Sequence, residues 1–210
     1  LKLKHYEGEK THSLNILLKK LKKNKKRNRK IKFKVEKVDL NEITFLLENE
    51  NNRRSKPVKL NSGKIIASEL IFIKNQLKVN IENFEGILDN SFMKSINTSA
   101  LISYKPGFLS MNKLRLSSGP NYLNGKIELS GNNGNLNNFK SNGNINMIVD
   151  NCKVELLSIF PKNEYFKNIP PFKTSFFAKG SLSELELENL KVSNPFLKFF
   201  ASLNVKNLFK

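Results

Sequence analysis

Between turn-rich stretches of this chain one short pattern keeps returning: apolar-x-apolar-x-x-apolar-x-apolar. It falls on Val38, Leu40, Ile43, Phe45, on Ile65, Ala67, Leu70, Phe72, on Leu109, Met111, Leu114, Leu116, and on Leu185, Leu187, Leu190, Val192. On a helix those four positions would scatter round the cylinder, whereas a strand with one inserted residue keeps them on a single face. The pattern therefore predicts bulged β-strands. Each bulge restores a face that a one-residue slip would turn from apolar to polar. Plain alternation predicts more strands at Ile31, Phe33, Val35, at Leu77, Val79, Ile81, and from Ile96 to Tyr104 at every second residue. Others follow at Ile127 and Leu129, at Ile145, Met147, Val149, and from Phe172 to Ala178. Breakers rich in Asn, Gly, Pro and Ser separate them at residues 49–57, 61–63, 105–107, 117–121, 131–138 and 179–183.

Two of the bulged segments belong to a longer match at an offset of 76 residues, the difference between positions 109 and 185. Ile96, Thr98, Ala100, Ile102, Leu109, Met111, Leu114, Leu116, Ser117, Leu123, Ile127 and Leu129 align without gaps with Phe172, Thr174, Phe176, Ala178, Leu185, Leu187, Leu190, Val192, Ser193, Phe199, Leu203 and Val205. Because 39% of the chain is apolar, composition accounts for many of these matches. The constant register is what favours a repeat, and a repeat of this kind implies a sheet extended strand by strand.

Helical spacing shows in two places. Leu14, Leu17, Leu18 and Leu21 recur at i, i+3, i+4, i+7 behind Ser13 as an N-cap, which predicts a short amphipathic helix over 13–23. Its polar face is cationic, so it reads either as a membrane-surface helix or, the favoured reading for so few turns, as a cap on the open end of the sheet. A second short helix is predicted near 153–160, closed by Pro161 and followed by Pro170 and Pro171, as a lid over a sheet end.

Charge alters this picture at one point. The net charge of +19 is concentrated in residues 19–34, where Lys19, Lys20, Lys22, Lys23, Lys25, Lys26, Arg27, Arg29, Lys30, Lys32 and Lys34 stand with no acidic residue among them. A nucleic-acid binder sets aromatic platforms among its cations, and the only aromatic here, Phe33, fits a buried strand face. The tract reads first as a solvated loop, second as an anionic-lipid contact and last as a nucleic-acid contact. The sequence of 210 residues opens on Leu1 without a leader and has no apolar run near the roughly 20 residues of a membrane span, so it reads as an internal piece of a longer chain.

Candidate chemistry is sparse. His5, His12 and the single Cys152 do not compose a zinc set, and no cofactor is expected. A phosphate loop at Gly119 to Lys126 fails because five residues separate the glycines and Ile127 stands where Ser or Thr would ligate magnesium. There is no Gly-x-Ser-x-Gly elbow, and Glu184, Glu186 and Glu188 alternate outward along a predicted strand. The chain reads as a non-enzyme.

The segments LNILLKKLKK, FKVEKVDLNEITFLLEN, LISYKPGFLSMNKLRLSSGPNYLNGKIELSG, CKVELLSIFP and KGSLSELELENLKVS follow in an order that extends over nearly all of the chain, from residue 14 to residue 193. Together they resemble the AsmA-like superfamily, and within it the TamB-type (translocation and assembly module) envelope proteins. The basic tract departs from that pattern. The resemblance implies an elongated, curled antiparallel sheet forming an open apolar groove, mainly β. Residues 1–30 would hold a strand end, the amphipathic helix and the basic loop, and residues 31–210 the repetitive groove. It further implies a periplasmic protein, anchored in the inner membrane by a segment outside this sequence, that carries phospholipid between the membranes and supports outer-membrane biogenesis. Its partners would be phospholipid acyl chains and outer-membrane assembly proteins, with nucleic acid disfavoured. The groove lining would be Ile96, Ala100, Ile102, Leu114, Leu116, Ile127, Leu129, Ile145, Met147, Phe176, Ala178, Leu185, Leu187, Leu190 and Val192. Alternation alone serves a closed β-sandwich core equally well. A sandwich scaffold, or a basic module using residues 19–34, stands as the alternative.

Overall fold

Strand after strand joins one open sheet. The computed structural model describes residues 2–5, 32–49, 58–89, 95–131, 136, 139, 143–181 and 183–206. Its strands are β1 (Lys2–His5), β2 (Lys32–Asn49), β3 (Val58–Ile73), β4 (Gln76–Asp89), β5 (Ser95–Lys105), β6 (Phe108–Ser118), β7 (Asn121–Ser130), β8 (Asn144–Val154), β9 (Phe172–Ser181), β10 (Glu184–Ser193) and β11 (Lys198–Lys206). Spatial order equals sequence order: β2 to β11 form an antiparallel meander, and β1 lies parallel to the end of β2. The sheet is not closed into a barrel, since among the described residues β11 pairs only with β10. Packing between elements is essentially between adjacent strands, and among the described residues the one complete α-helix and one 3-10 turn lie between β8 and β9.

The four predicted bulges are all present, at Leu40/Ile43, Ser68/Ile71, Met111/Leu114 and Leu187/Leu190. In each, the residue before the third apolar position lies in the left-handed region: Glu42 at φ 56°, Glu69 at 53°, Lys113 at 51° and Asn189 at 52°. Placing a side chain there costs roughly 1–2 kcal/mol. Without the bulge, the last two apolar residues of each motif would turn to the other face, and burying each contributes about 1.5–3 kcal/mol, so the gain outweighs the strain. Replacing Lys113 by Gly is expected to raise stability by about 1 kcal/mol, whereas Lys113→Ala gains nothing and Asn189→Gly gains less because Asn tolerates this region. Urea unfolding of the three variants measures the difference.

Two further bulges, at Ile81/Phe84 in β4 and Val149/Cys152 in β8, have no left-handed residue. The second changes a predicted boundary. It carries Lys153 and Val154 into β8, so the helix expected over 153–160 shrinks to α1 (Leu156–Ile159), followed by a 3-10 turn at Glu164–Phe166. The breaker expected at 61–63 is likewise absorbed into β3, where Gly63 is buried opposite Ile43 beside a register shift. The helix expected over 13–23 lies outside the described residues.

The 76-residue offset appears in the pairing itself. Ile102 faces Met111 as Ala178 faces Leu187, Thr98 faces Leu116 as Thr174 faces Val192, and Leu114 faces Gly125 as Leu190 faces Ala201. The left-handed Lys113 and Asn189 correspond as well. Thus β5–β6–β7 and β9–β10–β11 are two copies of one three-strand unit, with β8 filling the place between them.

Candidate functional site

Residues directly opposite one another in paired strands share a face, so the registers sort every strand into its two sides. One line of opposed residues runs Val79, Ile102, Met111, Ile127, Met147, Ala178, Leu187, Leu203. A second runs Leu77, Tyr104, Leu109, Leu129, Ile145, Gly180, Leu185, Val205, and a third Leu40, Ile65, Phe84, Thr98, Leu116, Leu123, Cys152, Thr174, Val192, Phe199. Between the first and third lie Ala67, Ile81, Ala100, Leu114, Gly125, Val149, Phe176, Leu190 and Ala201. All are on the same apolar side.

All fifteen residues predicted to line a groove fall on this face. Ile96 joins it at the strand end, opposite Gly86. The same face also holds residues outside that set, among them Ala67, Val79, Ile81, Leu109, Met111, Leu123, Val149 and Cys152; Val149 continued the Ile145, Met147 alternation and could have been found. The cations predicted as an anionic contact, Lys19 to Lys30, lie outside the described residues.

Burial shows the shape of the face. The buried apolar residues are Ala67, Val79, Ala100, Leu114, Val149 and Ala178, and all six belong to the central line or the one beside it. Flanking members of the same face on the inner strands, such as Leu109, Leu116, Leu123 and Leu129, are half-buried and Tyr104 is 38% exposed, while on the outermost strands Phe33, Leu40 and Phe199 are open. A band of buried residues crossing the strands, between less buried ones on the same face, is the floor of a trough curled toward its apolar side. Among the described residues no second sheet lies over it, and helical structure covers it only at one end, over β6–β8.

The opposite face is mixed, with Leu101, Ile148, Phe177 and Phe200 among its polar residues, and it is cross-linked by charge. Lys179 pairs with Glu186 and Glu188 across the β9–β10 ladder, Lys126 with Glu128, and Lys206 with Glu184. The hydrogen bond to Glu188 leads the interactions holding the exposed Lys179 ammonium above its usual range. Asn204 and then Lys206 lower the Glu184 carboxyl. Exposed pairs of this sort contribute little to stability, and they serve mainly to keep this side wet.

At one end of the trough the chain between β8 and β9 folds over β6–β8. Asn121 holds it there: its side-chain oxygen accepts from the Glu155 backbone N–H at 2.6 Å, and its amide donates to the Ser158 hydroxyl at 2.6 Å. Ser158 in turn donates to the Glu155 carbonyl. Beneath lies a cavity of about 580 Å³ lined by Leu116, Leu123, Cys152, Val154, Ile159 and Pro161 among others. Burial pushes the Cys152 thiol up, so at neutral pH it is a protonated, apolar part of the wall. The hydroxyl of Thr174, in the same line as Cys152, is buried without a partner, whereas its repeat counterpart Thr98 donates to the Arg115 carbonyl at 2.7 Å.

Among the described residues no His, Cys, Asp and Glu cluster could hold a metal, and no helix is long and apolar enough to cross a membrane. No family model matches the chain, and no curated protein or solved structure matches it either.

Proposed function

We propose that this chain shields acyl chains from water along its trough, as a segment of a periplasm-spanning AsmA-like, TamB-type protein that moves phospholipid between inner and outer membranes. The observation that carries the reading is the apolar floor running across β3 to β9, with no second sheet over it and only the β8–β9 connection reaching over its edge at β6–β8. A face of this kind needs something greasy against it.

The energetics fit a conduit better than a tight site. Exposing lipid tails to water costs about 0.8 kcal/mol per methylene, so about 30 methylenes cost on the order of 24 kcal/mol. A continuous trough removes most of that barrier while giving each position along it a similar affinity, and the lipid is free to leave. The trough lies perpendicular to the strands, so its length grows with strand number. Outer-membrane assembly proteins are the partners this reading implies, and an inner-membrane anchor would lie outside the sequence.

Mass spectrometry of an organic extract of the purified chain tests the proposal directly. Phospholipid is expected in the extract, and alkylation of Cys152 by iodoacetamide is expected to slow when delipidated chain is incubated with phospholipid vesicles. Cys152 is the only cysteine, so the readout needs no mutation. Lipid-free extracts, together with an alkylation rate indifferent to vesicles, would overturn the reading.

A further inference from the structure

At the α1 end of the sheet, exposed apolar side chains and unneutralised cations stand together. Phe160 and Tyr165, in the connection between β8 and β9, are 52% and 89% exposed, and Phe196 and Leu197, in the β10–β11 turn, are 83% and 49% exposed. Neither loop is loosely placed. The Asn194 side chain accepts from both the Phe196 and Leu197 backbone N–H groups, and the Asn194 N–H donates to the Leu197 carbonyl, which fixes the turn with Phe196 outward. Phe160 rests on the Phe166 ring at 5.6 Å, and the Asn163 side chain accepts from the Tyr165 N–H. Both loops lie at the same end of the strands, and because the β8–β9 connection reaches back over β6–β8 their tips spread along one rim across several strand spacings of about 4.8 Å each.

Behind these tips lie Lys173, Lys191, Lys198 and Arg115, all exposed on the polar side of the sheet near the same end. Lys173 and Lys198 both oppose Ser193 on its two sides, and among the described residues none of the four has a carboxylate within ion-pair distance. The connection adds Lys162 and Lys167, of which Lys167 pairs weakly with Glu164 at 3.8 Å. The far half of the same strands differs: there Lys126, Lys179 and Lys206 are each neutralised by glutamate. The asymmetry holds along β7, β9 and β11, while Lys78 and Lys105, at the far end of β4 and β5, have no ion-pair partner among the described residues.

We propose that this rim is a docking edge for an anionic phospholipid surface, with Phe160, Tyr165, Phe196 and Leu197 entering the headgroup layer and the cations behind them meeting lipid phosphates. Apolar tips with cations set back from them match the depth profile of a bilayer, apolar inside and anionic at its surface. An RNA or DNA strand would reward stacking on the aromatics but has no use for Leu197. The proposal stands apart from the trough: a chain that docks by this rim yet carries no lipid keeps this inference and loses the preceding one.

The chain has no Trp, so Phe196→Trp gives a single fluorescent reporter at the rim and Gln76→Trp one on an exposed position at the opposite end. With vesicles of phosphatidylcholine and phosphatidylglycerol carrying brominated acyl chains, emission of the Phe196→Trp chain is expected to shift to the blue and be quenched, and that of the Gln76→Trp chain is not. Vesicles of phosphatidylcholine alone should leave both unchanged. Adding Lys173→Ser, Lys191→Ser and Lys198→Ser to the Phe196→Trp chain is expected to weaken its quenching by roughly a hundredfold in lipid concentration, with strand content by circular dichroism retained. Equal quenching of both reporters, or an unshifted rim reporter on a chain that still sediments with vesicles through its basic tract, would overturn the proposal. So would a response of the rim reporter to single-stranded DNA matching that to anionic vesicles.

Discussion

Leu187→Asp is expected to slow phospholipid transfer between donor and acceptor vesicles about a hundredfold while leaving the far-ultraviolet circular dichroism of the sheet unchanged. Leu187 lies beside the trough floor, opposite Ala178 on one neighbour and Leu203 on the other, and is only half-buried. An aspartate there keeps much of its water because nothing covers the face, so the fold tolerates it. A passing acyl chain has to strip or skirt that water, and unpaired desolvation of a polar group at about 3 kcal/mol corresponds to a hundredfold in rate. Glu186→Gln, one residue away on the polar side, is the matched control and should transfer at the parent rate. Equal transfer by Leu187→Asp and the parent, both folded, would remove the trough from any role in lipid movement.

The second large effect concerns a position with no side chain. Gly125 sits in the floor between Leu114 and Val149, and a Cβ placed on it would run into the Ile148 carbonyl of the neighbouring strand. The obstacle is backbone, which cannot swing away as a side chain tip can. Gly125→Val is expected to destabilise the sheet by about 3 kcal/mol, seen as a fall in melting temperature of roughly 6–12 °C. Ala201, its counterpart in the repeat, has a side chain because β11 has no further partner on that edge among the described residues. Ala201→Val should therefore be nearly silent, and a comparable loss there would show that the cost at Gly125 is general to the floor.

These two positions also mark how far the sequence could be read. Leu187 was legible because spacing alone placed Leu185, Leu187, Leu190 and Val192 on one side of a bulged strand, and the register reproduces that side. The openness of the face was not legible, since apolar alternation is the same whether a second sheet covers it or nothing does. What distinguishes the cases is whether a second sheet lies over the face, and that is known only from the strand order, which among the described residues forms one sheet. Gly125 stood in the sequence as part of a failed phosphate loop, with no sign of the close approach from β8. The left-handed Glu42, Glu69 and Lys113 were hidden for another reason: propensity reserves that conformation for Gly and Asn, and here the gain of keeping two apolar side chains on the trough side overrides it. The shortened helix followed from the same cause. The bulge at Val149/Cys152 extends β8 by keeping Cys152 and Val154 in phase, which a search for unbroken alternation ends too early.

The matched registers at a spacing of 76 residues have a consequence for how such a protein can change size. From β5 to β9 the chain advances by four strands, about 19 Å along the sheet, and arrives at an edge equivalent to the one it left. Duplication or loss of one such segment would leave every hydrogen-bonded neighbour, bulge and face as it was. Reach is thus a quantity that gene-level copying can adjust in fixed steps, with no new packing problem to solve at each one.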